Sequence, residues 1–254
     1  MLTDYHVHLR QDEPEHTAEE AFTAANAERY QEVASERGVE LLGVSEHVHR
    51  FRQALELWRH PFWQDQAVDD LDAYCEFLAG SGLRVGIEAD WVPGAEDRIA
   101  NLLERRDFDY VIGSVHSRFS MDRATMTTRV LRALDDGHLT ILGHPTGRLL
   151  LSREAYAIDL DAVLAKAGEV GVAVELNADP HRLDLDWRHI PTAREHGATI
   201  EIGPDAHSPR GLDHMTTGVG IARKGGLSRS DVLNTRSADD VLAFAQARRA
   251  RGGR

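Results

Sequence analysis

Short runs of β-branched and aliphatic residues alternate along the chain with longer stretches in which apolar residues return every three or four positions. The short runs predict strands over residues 2–5, 41–45, 84–87, 110–115, 140–142, 173–176 and 199–202. The longer stretches predict helices. "TAEEAFTAANAERYQEVASERG" opens with a capping box from Thr17 to Glu20 and stops at Gly38. Met126, Val130 and Leu134 form one apolar stripe, and Leu160, Val163, Leu164 and Ala167 another. Both are faces for a core. Strand and helix alternating over the whole length implies parallel strands with helices outside, as an open doubly wound sheet or a closed barrel. No glycine-rich dinucleotide or P-loop pattern follows the first strand.

The ends of the strands favour the barrel. His6 and His8 end the first ("DYHVH"), Glu46 and His47 the second ("GVSEH"), and Glu88 the third ("VGIE"). His116 ("GSVH"), His144 ("LGHP"), Asn177 ("ELN") and the Asp205, His207 pair ("DAH") end the remaining four. In an α/β barrel the carboxyl ends of all strands open onto one mouth, where the chemistry gathers. His6 and His8 stand two apart on a strand, so both point the same way and can grip one ion.

Composition narrows the chemistry. A chain of 254 residues, 42% hydrophobic and 28% charged, is ordinary for a globular protein and can form one α/β barrel domain over residues 1–254. It has no apolar run of membrane-spanning length, so no membrane partner is expected. "MLTDYHVHLR" lacks the apolar core of a signal peptide, which makes a cytoplasmic location the expectation. The single cysteine, Cys75, shares helical spacing with Leu71, Tyr74 and Leu78 and reads as a packing residue. A formal charge of -13 argues against general affinity for phosphate backbones. The 14 histidines matter more. Imidazoles mixed with carboxylates suit zinc, manganese or iron better than magnesium or calcium, which prefer all-oxygen shells. The donors outnumber the needs of one ion. Glu88 can bridge two, the arrangement that clamps the attacking and leaving oxygens of an in-line displacement. Phosphate-ester hydrolysis is the natural reaction class, with amide or imine hydrolysis as the chemical rival.

The ordered set "HVH", "SEH", "GIE", "SVH", "GHP" and "DAH" resembles that of the PHP (polymerase and histidinol phosphatase) superfamily of metal-dependent phosphoesterases over essentially the full length. The resemblance implies a distorted seven-stranded (β/α)7 barrel holding two or three divalent transition metal ions. By position, His6, His8, Glu88 and Asp205 would hold one ion, and Glu88 would bridge to a second held by His116 and His144. His47 and His207 would hold a third. Some family members supply a further histidine after the first pair; here "RQDEPEH" offers Asp12, Glu13 or His16 instead. Glu46, where an aspartate is more familiar, reads as orienting a ligand. The first half, through "GIEADWVPG", resembles the histidinol-phosphate phosphatase branch. From "SVHSRFSM" onward the chain resembles the PHP domain of bacterial family-X DNA polymerases. The split implies a chimera joined near residues 114–118, with a natural relative of mixed features as the alternative.

The expected mechanism is attack on phosphorus by a metal-bound hydroxide, with Glu88, Asp205 and His207 at the reacting centre. Arginines would balance charge on the phosphoryl oxygens, with Arg118 and Arg182 first and Arg148 behind them. The segment "VHRFRQALELWRHPFWQD" carries Trp58, Phe62 and Trp63 near Arg52, Arg59 and His60, and it reads either as a specificity lid or as plain packing. Three functions follow: a phosphomonoesterase of the histidinol-phosphate type acting on a small phosphorylated substrate, a 3'-exonuclease or 3'-phosphatase acting on nucleic-acid ends, or a metal-binding scaffold with little activity.

Overall fold

All seven expected strands are present in the computed structural model, which describes residues 2–10 and 18–252. They are β1 (Thr3–Asp4), β2 (Leu41–Val44), β3 (Arg84–Asp90), β4 (Tyr110–Ser114), β5 (Ile141–Leu142), β6 (Ala173–Asn177) and β7 (Ile200–Gly203). The order in the sheet is the order in the chain, and every neighbouring pair is parallel. Helices cross between strands on the outside, so the strands read as nearly continuous apolar runs. The result is a nearly closed seven-stranded α/β barrel.

The seam between β7 and β1 is stitched by few contacts. Just past the strand ends Val7 bridges Ala206, with His8 N–H donating to the Ala206 carbonyl at 2.8 Å. Lower down, the wholly buried Asn234 replaces a strand's worth of pairing. Its amide donates to the Thr3 carbonyl at 2.9 Å and the Ile202 carbonyl at 3.0 Å, and its oxygen accepts from Ile202 N–H at 2.7 Å. One side chain thus satisfies backbone groups on both edges, which would otherwise be buried without partners.

Two helices carry the stripes the sequence predicts: Met126, Val130 and Leu134 are buried on Arg123–Asp135, and Val163, Leu164 and Ala167 on Leu160–Val170. The single helix expected from residue 17 is instead two. Ala18–Ala21 ends, and Ala24–Glu36 begins afresh behind Thr23, whose hydroxyl accepts from Asn26 N–H at 3.2 Å. A threonine able to cap the following turn competes with continuing the helix through it. Thr17, the proposed cap, lies outside the described residues, as do Asp12, Glu13 and His16. The stop at Gly38 is as expected, with φ +75° there.

The segment after β2 folds as short 3-10 turns, Val48–Arg50 and Arg52–Leu57, and a four-residue helix, Pro61–Gln64. Backbone bonds from Arg52 N–H to the Asp69 carbonyl and from Asp69 N–H to the Arg50 carbonyl, each 2.9 Å, tie it down. Among the described residues no helix is long and apolar enough to cross a membrane.

Candidate metal centre

At the carboxyl ends of the strands the structure brings together all eight residues expected to converge there. Glu88, on β3 and wholly buried, is the hub. Its Oε2 lies 2.7 Å from His47 Nδ1, 3.5 Å from His6 Nε2 and 3.6 Å from His8 Nε2. Its Oε1 lies 3.0 Å from His144 Nε2 and 3.1 Å from His116 Nε2. The two oxygens of one carboxylate therefore face two separate groups of imidazoles. Asp205 Oδ1 completes the first group, 3.5 Å from His6 Nε2 and 3.4 Å from His8 Nε2. His207 stacks on His8 with ring centroids 4.2 Å apart and stands nearer the mouth.

Glu88 Oε1 is hydrogen-bonded, to His144 Nε2 at 3.0 Å and to Ser114 Oγ, which donates at 2.6 Å, but most of the other atoms are close without being so. Among the described residues, His6 Nε2, both nitrogens of His8, His47 Nδ1, both nitrogens of His116, His144 Nδ1 and Glu88 Oε2 are buried with no hydrogen-bond partner. Buried polar atoms are normally satisfied, so a convergent set of orphaned lone pairs fits a cation. Among the described residues, four sets of three potential donors lie within 4.8 Å of one another: His6, His8 and Asp205; Glu88, His116 and His144; His8, His47 and His207; and His47, His49 and His116.

The local field favours positive charge. Burial works against ionising the Glu88 carboxyl, but the imidazoles of His116, His47 and His6 outweigh it and hold the group well below its usual range. Asp205 is held down in the same way, burial being overcome by His6, His8 and Arg182. Burial disfavours charge on His6 and His8 too, yet the carboxylates around them push His6 well above its ordinary value and His8 up to about 9. His47 has no such surplus of acids, and burial drives it well below.

Supporting groups fix these side chains. Glu46 stands behind His8, 3.7 Å from Nδ1, and accepts from Arg10 N–H at 2.9 Å, which is where an orienting carboxylate was expected. Asn177 donates to Asp205 Oδ2 at 3.0 Å. His144 and Asp205 sit at φ 23° and 50°, strained for residues with a Cβ, so the surrounding bonds hold the backbone there.

Of the arginines, Arg182 reaches the centre, its Nε 3.2 Å from Asp205 Oδ2 and its Nη1 buried without a partner among the described residues. Arg118 is exposed at the rim. Arg148 is otherwise engaged: it donates to the carbonyls of Arg182 and Leu183 and to Asp186, which makes it a clamp on the loop that carries Arg182.

The sequence reading missed four residues. His49 stacks on His47 at 4.8 Å; "HVH" spacing recurs in "EHVHR" and could have flagged it. Glu175, an acid within the apolar run "AVELN", meets His6 Nδ1 through Oε1 in a short contact and accepts from His144 N–H through Oε2 at 2.5 Å. Asp90 accepts from His116 N–H at 2.9 Å and pairs with the buried Arg129 at 3.2 Å. For Asp90 and Arg129 no local sequence signal exists, since their partners are remote in the chain.

A barrel whose mouth gathers imidazoles and carboxylates in this way defines a metal-dependent hydrolase. No protein-family model matches the chain. It is 36% identical over 214 residues to the DNA polymerase/3'-5' exonuclease PolX of Bacillus subtilis, covering 84% of this chain but 37% of that protein. It is 26% identical over 243 residues to a probable phosphatase of Shewanella sp. strain MR-4, covering 92% of this chain and 90% of the relative. Its fold matches the crystal structure of histidinol phosphate phosphatase from Lactococcus lactis complexed with zinc, L-histidinol and phosphate, with TM-score 0.59 and 17% identity over 93% of this chain and 97% of that one. These likenesses are consistent with the PHP superfamily of metal-dependent phosphoesterases, which the ordered set of strand-end residues resembles. The PolX alignment covers 84% of the chain, more than either side of residues 114–118 could supply, so it crosses the proposed junction and lends the chimera no support.

Proposed function

We propose that this protein hydrolyses phosphomonoesters at the mouth of the barrel. One observation carries the reading: Glu88 turns one oxygen to His6, His8 and His47 and the other to His116 and His144. A carboxylate divided in this way suits two cations, one with His6, His8 and Asp205, the other with His116 and His144. His8, His47 and His207 are the donors for a third, and His47 also groups with His49 and His116. Divalent zinc, manganese or iron bound there would acidify a coordinated water and draw charge from the phosphoryl oxygens.

The chain's own groups do the rest. Arg182, with one buried nitrogen unused, is placed to donate to a phosphoryl oxygen, and Arg118 can close on the same group from the rim. His207, at 24% the most exposed imidazole of the centre, can exchange a proton with solvent and the leaving oxygen when it is not holding the third cation. Glu46, Glu175 and Asp90 hold ligands in orientation and touch no substrate.

The substrate is a small phosphorylated molecule. Histidinol phosphate has the fold likeness to the Lactococcus lactis enzyme in its favour, whereas the likeness to PolX favours a nucleic-acid 3' end as a second reading. The test is phosphate release by protein loaded separately with zinc, manganese and iron, from p-nitrophenyl phosphate and histidinol phosphate, alongside shortening of a labelled single-stranded oligonucleotide. We expect release from at least one monoester and a loss on the order of a hundredfold or more in Glu88→Gln. Oligonucleotide shortening without monoester hydrolysis would establish the second reading, and inactivity on everything would leave a scaffold.

A further inference from the structure

Beside the centre lies a cavity of about 620 Å³, walled by the segment after β2 on one side and by residues 92–95, Arg98, Ser117 and Arg118 on the other. Its position ties it to the chemistry. His49 touches Trp63 and Trp58 with ring centroids 4.6 and 5.6 Å apart on the cavity side, and His47 at 4.8 Å on the metal side. Ser117 and Arg118 follow His116 directly. A phosphoryl group seated among the imidazoles would therefore project its alcohol into this space.

The lining has a definite character. Trp58 and Trp63 lie 5.2 Å apart with planes 33° from parallel, giving a broad aromatic wall. The charged side chains are Arg59, Arg98 and Arg118, joined by His60, and among the described residues no carboxylate lines the cavity. That reverses the balance of a chain with 42 acids and 29 lysines and arginines. The helix Glu96–Glu104 also begins here behind Ala95, which offers no side chain to cap its first amides, so they too favour an anion. Glu96 and Asp97 in its first turn, and Glu56 nearby, lie outside the lining.

We infer that the leaving alcohol carries a planar ring and a second negative charge, the ring against the tryptophans and the charge among the arginines. This rests on the phosphomonoesterase reading and narrows it. A cationic amino alcohol such as histidinol meets repulsion in this cavity and is a poor substrate.

The probe is a series of phenyl phosphates with closely similar leaving groups, carrying a para carboxylate, hydroxymethyl or aminomethyl group. With metal-loaded protein at low salt, kcat/KM for the carboxylate exceeds that for the aminomethyl ester by about tenfold. The ratio shrinks in high salt and falls toward one in Arg59→Glu and in Arg98→Gln; Arg59 is exposed, so its substitution leaves the fold intact. Equal or reversed rates, with the hydroxymethyl ester turned over, overturn the inference and leave the phosphatase reading standing. If no ester is hydrolysed, that reading falls, and the cavity is judged by binding. Tighter quenching of tryptophan fluorescence by 4-hydroxybenzoate than by 4-(aminomethyl)phenol, weakened in Arg59→Glu, sustains the inference. Equal binding ends it.

Discussion

Replacing Glu175 by glutamine changes one atom and no volume, yet it should loosen the centre by one to two orders of magnitude in metal affinity. Glu175 is wholly buried, with one oxygen against His6 Nδ1 and the other accepting from His144 N–H and, at 3.3 Å, from Asn177. A carboxylate accepts from both sides. It thereby keeps the His6 proton on Nδ1 and turns the lone pair of Nε2 toward Glu88 and Asp205. Gly203 makes the contact feasible, because any side chain there would collide with both Glu175 and His6.

A glutamine has one acceptor and one donor. With its oxygen toward His6, its amide faces the His144 N–H, donor against donor; flipped, its amide faces His6 Nδ1 and drives the proton to Nε2, where a metal must bind. Leaving one buried donor unsatisfied costs about 1–3 kcal/mol. Loss of an outer partner of a metal-ligating histidine typically weakens metal binding ~10–100-fold. The assay is competition between metal-free protein and a chromophoric chelator for zinc, with the thermal midpoint measured in parallel. A purely structural role would lower the midpoint of the metal-free protein and leave the zinc Kd alone. If Glu175→Gln binds zinc within about threefold of the parent, the orienting argument is refuted.

Three further outcomes are expected. Removing metal with a chelator should lower the thermal midpoint, and restoring zinc or manganese at a hundredfold excess over Kd should recover about 2.7 kcal/mol, roughly 5–10 °C for a chain of this size; scanning calorimetry reads it. Arg129→Ala should destabilise by about 3–5 kcal/mol in urea titrations, since it leaves Asp90 buried and unpaired and strips donors from the Trp91 and Ser117 carbonyls. Burial pushes the Cys75 thiol up to about 11, so at pH 8 about one molecule in a thousand carries the thiolate. Iodoacetamide should then label folded protein at least tenfold more slowly than urea-unfolded chain, the gap closing as pH approaches 11, and equal rates would refute that placement.

The barrel was legible because each strand is a short aliphatic run bounded by polar residues, and a parallel strand buried on both faces has no other way to be written. The eight convergent residues were legible for a related reason. A strand end is where an apolar run meets the mouth, so a histidine or acid there is conspicuous in a sequence. Glu175 and Asn234 were not, since each works through partners far off in the chain: Glu175 through His6, Asn234 through Thr3. The helix break at Thr23 was hidden by a continuous apolar period that the cap overrides. Arg148 and Arg182 look alike in sequence, and only the loop between them distinguishes the clamp from the group that reaches the centre.

The interior of the barrel ties strand register to chemistry more tightly than the ligand set alone suggests. Asp4, His6 and His8 alternate along one inward face, as do Glu201, Gly203 and Asp205, and Glu175 pairs directly across the sheet with Glu201. Each of these columns sets an acid below the centre and a donor at it. Below, burial pushes Asp4 up to about 8 and Glu201 well above its ordinary value, favouring the neutral acid in both, and Glu201 accepts from Asn234 at 3.1 Å. At the mouth the imidazoles reverse the sign, and Glu88 and Asp205 are ionised. A slip of one residue in either edge strand would send the ionised group outward and carry the neutral one with it. The stitch at Asn234, which bonds both edges and one of those acids, is therefore placed where an error in register would be most damaging to the centre above it.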